Sequence, residues 1–536
     1  MVPFRDDVVR ATLLLLVALS QPHRAFADNP PAKSADAKGQ LGVVVNGPKA
    51  FPGYTLVFPL SSTKTYLIDM HGRVVRTWQS RYMAGQDAYL LENGNLLRAA
   101  DLAENEAYFA GASKGGRIQE FSWDGKLRWD YRFHNPSQIR HHAITRMPNG
   151  NILMIVWERK TPQEALAAGV KPELAGKTDM LVDALIEVKP AGLTGGQIVW
   201  EWHLWDHLIQ DQDRSKANYG DVAAHPELVD ANFSRRPGGF FGFFQPRATP
   251  KKEEPKQMAK DDKKAKDDNL DRLKGIGYIG TGGGKKFAGF FPDWTHVNAV
   301  SYNARLDQIM LCTREFGEFW IIDHSTTKAQ AASHTGGKYG KGGDLLYRWG
   351  NPRAYRAGTE KDQKLFAQHD AHWIPEGLPG AGHVLVFNNG PRPAGAYSSV
   401  DEIVLPVDSE GRYDYSPGKA YGPKEPVWSY TEPKKSDLFA IFMSGAQRLP
   451  NGNTLIATGF SGTIFEVTPE KEVVWKYNVP MDFKPGRGTM TFFGGSRNPV
   501  FRAYRYAPTY PGLANRELKP GMTIDELFSK PVKGKQ

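Results

Sequence analysis

Cysteine is almost absent: Cys312 is the only one in 536 residues. That excludes an intramolecular disulfide and any cysteine-built zinc or iron–sulfur framework. A strong charge imbalance is missing too. The 68 Lys and Arg against 58 Asp and Glu leave a net charge of +10 spread along the chain, whereas a nucleic-acid-binding domain concentrates its basic residues on one face or helix. The densest charged run, residues 251–274 (KKEEPKQMAKDDKKAKDDNLDRLK), mixes both signs and reads as solvated surface. No nucleic-acid partner is expected. No triplet period accompanies the 55 Gly and 37 Pro, so they signal many turns rather than collagen. What is present, 40% apolar and 12% aromatic residues, is ample for a buried core rich in β-structure.

Long apolar runs are lacking apart from residues 11–20 (ATLLLLVALS), which are too short to span a bilayer. Arg5 and Arg10 lie before or at the start of that run, and Ala25-Phe26-Ala27 follows it. This order of basic region, apolar region and A-x-A site predicts a cleavable signal peptide over residues 1–27. A periplasmic or secreted protein with no membrane span is therefore expected. Residues 28–50 read as a linker.

The chain repeats itself. Q-D-A-Y-L-L-E-N-G-N-L-L and R-I-Q-E-F-S-W-D-G-K-L-R-W-D-Y (86–131) return as G-A-Q-R-L-P-N-G-N-T-L-I and T-I-F-E-V-T-P-E-K-E-V-V-W-K-Y (445–477). A third copy opens at His142 with H-A-I-T-R-M-P-N-G-N-I-L and ends in Q-I-V-W-E-W, and degenerate copies occupy 296–350 and 369–430. Asn93-Gly94, Asn149-Gly150 and Asn451-Gly452 supply the φ > 0 positions of hairpin turns between short alternating strands. Two hairpins per copy make the four-stranded blade of a β-propeller. Residues 54–78 provide three strands without a first, and Phe501 to Tyr506 (FRAYRY) can supply it. The expectation is an all-β, six-bladed β-propeller over residues 51–510, closed by pairing of N- and C-terminal strands, with a tail at 511–536.

Two segments stand outside this grammar. Residues 203–292 read as one long insertion, partly disordered, with a short helix around Trp205 to Gln210. The Gly-rich basic segment 334–344 (HTGGKYGKGGD) lacks the order of a phosphate-binding loop and reads as a flexible loop.

The fourteen histidines fall unevenly. Aligning the repeats on Ala88, Ala143, Ala299, Ala371 and Ala446 puts His141 and His142, His296 and Asn298, and His369 and Asp370 at one level, where first strands line the central channel. Arg140, Arg314 and Arg392 lie near the same level. His324, His334 and His383 sit elsewhere and read as structural or exposed.

The segments D-W-T-H-V-N-A-V-S-Y-N (293–303), I-I-D-H-S-T-T, Q-H-D-A-H-W, V-F-N-N-G-P-R and S-G-A-Q-R-L-P-N-G-N-T-L resemble the bacterial arylsulfate sulfotransferase family over roughly residues 50 to 480. The resemblance implies a six-bladed propeller that moves a sulfuryl group from a phenolic sulfate ester to a phenolic acceptor, with no nucleotide donor and no cofactor or metal. On the family pattern His296, His369 and Arg392 match site residues. His141, His142, His372, Asn298 and Arg314 are the further candidates for substrate binding or an alternative nucleophile. In characterised members the sulfated histidine lies C-terminal to the arginine, yet no histidine follows His383. Residues 28–50 are also too few for the N-terminal β-sandwich those members carry.

Two other readings compete. His141, His142, His296, His369 and Asp370 would serve a metal-dependent hydrolase or oxidase, and the missing C-terminal histidine would suit a non-catalytic binding propeller. A quinone-cofactor propeller is weaker, because the blade-ending tryptophans Trp129, Trp202, Trp349, Trp428 and Trp475 are explained by packing between blades.

Overall fold

The computed structural model describes residues 40–60, 62–102, 115–233, 293–481 and 497–529. Six antiparallel sheets form the blades of a β-propeller. Blade 1 combines the C-terminal strand Val500–Tyr506 with Tyr54–Pro59, Lys64–Ile68 and Val74–Gln79. The pairing between the chain's two ends sets Tyr54 opposite Tyr506 and Val57 opposite Ala503. Blades 2 to 6 follow in sequence over 84–132, 138–203, 297–349, 369–430 and 445–478. Their first strands are Ala84–Leu90, Gln138–Arg146, Val297–Asn303, His369–Trp373 and Gly445–Arg448, and with Val500–Tyr506 these touch one another in ring order around the axis.

The turn chemistry differs in one respect from expectation. Gly94, Gly150 and Gly452 have φ of +82°, +85° and +88°, while the preceding asparagines do not enter the left-handed region. Each turn is a three-residue loop closed by paired backbone bonds, such as Gly94 N–H to Leu91 O and Leu91 N–H to Asn95 O, in which only the glycine must be left-handed. The second asparagine of each N-G-N has its own task. Asn95 donates to Glu120 (2.6 Å), Asn453 to Glu466 (2.6 Å) and Asn151 to Glu187, which ties the first hairpin of a blade to its third strand.

The blade-ending aromatics also do more than pack. Six indole N–H groups donate to a backbone carbonyl of the next blade: Trp78 to Ser122 (3.1 Å), Trp129 to Gly195 (2.8 Å) and Trp202 to Gly343 (2.7 Å), then Trp349 to Pro423 (2.7 Å), Trp428 to Pro469 (3.0 Å) and Trp475 to Met70 (3.0 Å). A buried indole needs an acceptor for its one donor. Here the neighbouring blade supplies it every time.

Three boundary expectations change. Residues 28–50 are not all linker, because Gly42–Asn46 pairs with Val473–Asn478 as a fifth strand of blade 6. The supposed tail contains a 3-10 turn, Pro511–Leu513, and a helix, Ile524–Ser529, whose first residue is buried against Tyr66, Tyr477 and Val500. Residues 203–233 of the insertion are packed rather than loose. Leu204–His207 forms a 3-10 turn, Leu208–Ile209 pairs in parallel with Val229–Asp230, and Leu204, Val229 and Ala231 join the main core. Apolar residues at those positions make the segment part of the core. The remainder of the insertion (234–292) and the predicted signal peptide (1–27) lie outside the described residues.

A polar joint between blades 3 and 4 yields a pH prediction. His324 Nδ1 lies 2.6 Å from Asp307 and its Nε2 2.9 Å from Glu187 of blade 3. Burial opposes its charge, but the two carboxylates outweigh that and raise its pKa from 6.5 to about 9. A folded-state pKa raised above the unfolded one stabilises fully below the unfolded value. The contribution, about 2–3 kcal/mol, should therefore be present at pH 6 and lost as pH rises through about 9. Denaturant titrations of wild type and His324→Gln across that window check this: the two stability curves should converge at alkaline pH. Curves that stay parallel would refute the assignment.

Candidate functional site

The first strands are broken at one level by β-bulges. Register shifts occur between Ala84 and Ala88 in blade 2, between Val297 and Ala299 in blade 4 and between His369 and His372 in blade 5. In blade 3, His141 and Ile144 face adjacent residues, Ile155 and Met154. A bulge re-aims side chains at the rim of a barrel-like sheet. At or beside these bulges His142, His296 and Asp370 adopt φ of +49°, +50° and +59°, a left-handed conformation that non-glycine residues hold only when their surroundings enforce it.

The outcome is a buried constellation. The His142 and His296 ring centroids lie 4.7 Å apart at a steep angle, and all four histidines at this level, His141, His142, His296 and His369, are fully buried. Proton placement follows from their partners. Asp183 Oδ1 is 2.9 Å from His141 Nε2, and His141 Nδ1 is 2.7 Å from His142 Nδ1. Asp183 meets His141 Nε2 at ion-pair distance without hydrogen-bond alignment. A carboxylate only accepts, so its nearness favours the tautomer with the proton on Nε2, which presents a lone pair at Nδ1 to His142 Nδ1–H. That leaves the second nitrogen of His142, Nε2, as a lone pair, and it has no hydrogen-bond partner among the described residues. Burial, then the neighbouring charges of His296 and His141, push the His142 pKa well below its ordinary value, which keeps the ring neutral.

The two carboxylates that organise this group come from apolar surroundings. Asp183 interrupts M-L-V-D-A-L-I in the third strand of blade 3 and is held by Thr295 and by the Val297 N–H (2.9 Å) of blade 4. Asp293 Oδ2 lies 2.6 Å from His296 Nδ1, a second carboxylate–imidazole pair. Trp157 links the two pairs: its ring stacks on His141 at 3.8 Å and its indole donates to Asp293 (3.2 Å).

The remaining expected residues divide. His369 is at the same level, but both its nitrogens are engaged. Nδ1 faces the Asn389 side-chain oxygen (2.8 Å) and Ala367 O (3.1 Å), and Nε2 accepts the Met443 N–H (3.2 Å). Burial and then the charge of Arg314 push its pKa well down. Asn298 ties blades together, donating to Gln368 O (2.8 Å). No hydrogen bond or ion pair joins Arg392 to the histidines among the described residues. Its guanidinium donates to Ser399 (2.6 Å) and lies 4.4 Å over the Tyr397 ring. His372 faces the other half of the channel, a cavity of about 450 Å³ that it shares with Thr145, Arg146, Ser301, Gln447 and Tyr504.

Arg140 is the cation attached to His142. It is fully buried, its Nη1 donates to the His142 carbonyl (2.9 Å), and its Nε and Nη2 have no partner among the described residues. Burial lowers its pKa to about 10, so it stays charged at neutral pH. Cys312, also buried, has its thiol pushed up to about 12 by burial and is a core residue of blade 4.

Between the histidines and the channel lies an ionic hub. Arg502 of blade 1 reaches Asp370 of blade 5 (3.1 Å), Asp87 of blade 2 (3.3 Å) and the Asn298 carbonyl of blade 4 (3.1 Å). Tyr89 donates to Asp87 (2.5 Å). Burial opposes the Arg502 charge, yet the two carboxylates hold its pKa well above the ordinary value.

Sequence reasoning missed Asp183, Asp293 and Trp157. Asp293 was within reach, since D-W-T-H places it three residues before His296. A lone Asp inside the apolar run around 183 was the other available sign.

No curated protein matches the chain. Solved structures that resemble it include a protein of unknown function from Bacteroides caccae (10% identity, covering 84% of this chain and 98% of that one, TM-score 0.38). Others are a streptogramin B lyase (10%, 83% and 84%, TM-score 0.33) and an inactive variant of virginiamycin B lyase from Staphylococcus aureus (8%, 82% and 88%, TM-score 0.34). The model of the arylsulfotransferase (ASST) family matches residues 53–481, from the second strand of blade 1 to the end of blade 6. The chain belongs to the arylsulfotransferase family.

Proposed function

We propose that the protein is an exported aryl sulfotransferase that uses His142 as its nucleophile. The observation that carries this reading is the Asp183–His141–His142 chain, which leaves a neutral imidazole lone pair at His142 Nε2, 4.7 Å between ring centres from His296. Family membership supports sulfuryl chemistry on small aryl substrates.

In the first half-reaction His142 Nε2 attacks the sulfur of an aryl sulfate. The N–S bond forms as the S–O bond to the phenol breaks, and the departing phenolate takes a proton from His296, which Asp293 orients. The acceptor phenol then returns that proton to His296 and attacks the same sulfur, breaking the N–S bond and restoring His142. Positive charge that builds on the sulfated ring is offset through His141 to Asp183. Transfer of this type asks the protein mainly for alignment and for stabilisation of three charged oxygens. Arg140 and Arg314 supply positive potential at that level. His369 holds the Asn389 and Met443 segment in place instead of reacting, and Arg392 steadies its own loop.

Incubation with 4-nitrophenyl sulfate and a phenol acceptor tests the activity. Nitrophenolate release that requires the acceptor is expected, in the absence of any nucleotide sulfate. Release no faster with acceptor than without, or no faster than from a His142→Ala, His296→Ala double variant, would refute it.

A further inference from the structure

The 334–344 segment and the 3-10 turn after blade 3 bring three donor atoms together at the outer edge of blades 3 and 4. His207 Nδ1 lies 2.8 Å from Asp344 Oδ1, and His334 Nδ1 lies 2.8 Å from the same oxygen. Among the described residues this is the one set of three or more histidine, cysteine or carboxylate ligand atoms lying within 4.8 Å of one another. The axial histidines, despite their number, do not form such a set.

The hydrogen bonds of these rings fix what each donor atom presents. His207 Nε2 is 2.9 Å from the Ala331 carbonyl, which accepts only, so the ring carries its proton there. In the neutral ring Nδ1 is then a lone pair, and it faces a carboxylate oxygen that is also an acceptor. Two acceptors 2.8 Å apart need a proton or a cation between them. A metal-bound histidine commonly donates its other N–H to a backbone carbonyl, which fixes the tautomer and aims the ligating nitrogen. His207 has that arrangement, and Trp202 stacks parallel to it at 5.4 Å.

We propose that His207, His334 and Asp344 bind one divalent transition-metal ion, with Zn²⁺ as the best match to two imidazoles and a carboxylate. Zn–N and Zn–O bonds of about 2.0–2.2 Å separate tetrahedral donors by about 3.3 Å, so the two contacts to Asp344 need to lengthen by only about 0.5 Å, and all three donor atoms already lie within 4.8 Å of one another. His207 and Asp344 are buried, whereas the His334 side chain is 58% exposed. The ion would thus be walled on one side and open on the other, where a cavity of about 310 Å³ lined by Trp205, Asp206, Tyr219, His225 and His334 leaves room for a fourth, exchangeable ligand. Bound there, the metal joins the two ends of the Gly-rich segment to the turn that follows blade 3.

Titration of the full-length, chelator-treated protein with Zn²⁺, and with Co²⁺ as a spectroscopic probe, tests the site. One equivalent should bind, with the visible absorption of four-coordinate Co²⁺ and a rise in melting temperature. His334→Ala removes an exposed ring and should leave the fold intact, yet weaken binding roughly 100-fold or more. Asp344→Asn should do the same. The absence of saturable binding at one equivalent, or equal binding by folded His334→Ala, would overturn the proposal. Either result is independent of sulfuryl transfer, which is read at other residues.

Discussion

Replacing His142 with alanine is expected to lower aryl-sulfate turnover by roughly 10⁴-fold or more, the scale seen when a nucleophile held by a proton relay is removed. The same change should abolish a covalent intermediate. In wild type, mixing with an aryl sulfate in the absence of acceptor should release one equivalent of phenol rapidly and leave a peptide containing His142 heavier by one SO₃ group. Asp183→Asn should keep the adduct but form it about 10–100 times more slowly, because the chain that orients His141 and absorbs charge is weakened rather than cut. His369→Asn provides the contrast. With both ring nitrogens already spent on Asn389, Ala367 and Met443, its loss should lower the melting temperature while His142 still becomes sulfated. An SO₃ group recovered on His369 in wild type would reverse these roles.

The second large effect concerns stability. Arg502→Leu should cost about 3–5 kcal/mol, since removal of one partner from a buried ionic group strands the others without compensation. Here two carboxylates, Asp87 and Asp370, would be left facing each other across the axis with Arg502 gone. Equilibrium unfolding in urea measures the loss. Adding Asp87→Asn and Asp370→Asn to Arg502→Leu should recover part of it, as neutral amides are cheaper to bury than unpaired carboxylates. A triple variant less stable than the single one would mean that the carboxylates have other partners that matter more.

The blade count was legible because each blade repeats the same local chemistry. In three blades N-G-N is followed by a glutamate 13 to 36 residues after its second asparagine, as in Asn95 with Glu120, Asn151 with Glu187 and Asn453 with Glu466, which records a turn and the bond that braces it. Tryptophan at the blade ends records a donor that needs an acceptor next door. The histidine level was legible for the same reason, as an offset from a repeated alanine. Proton placement was not. Whether His369 or His142 keeps a lone pair depends on Asn389, Met443 and Asp183, which lie 20, 74 and 41 residues away along the chain and belong to no repeated pattern. Arg392 matched a motif by order along the chain, yet its guanidinium turned toward Tyr397. The pairing of His207 with His334 and Asp344 was hidden because it joins a turn read as part of a loose insertion to a segment read as a flexible loop.

The six indole bonds form a hoop. An open stack of repeats has two end units, each supported on one side only, from which unravelling can start and spread. Here Trp475 of blade 6 bonds to Met70 of blade 1, so no blade is an end and each is gripped by two neighbours. Any blade that lets go first must break both grips at once, and blade 1 must in addition sever the strand pairing between Tyr54–Pro59 and Val500–Tyr506. A ring of this kind should therefore resist partial unfolding and fail all together, a property suited to a site assembled from side chains that several blades contribute to one axis.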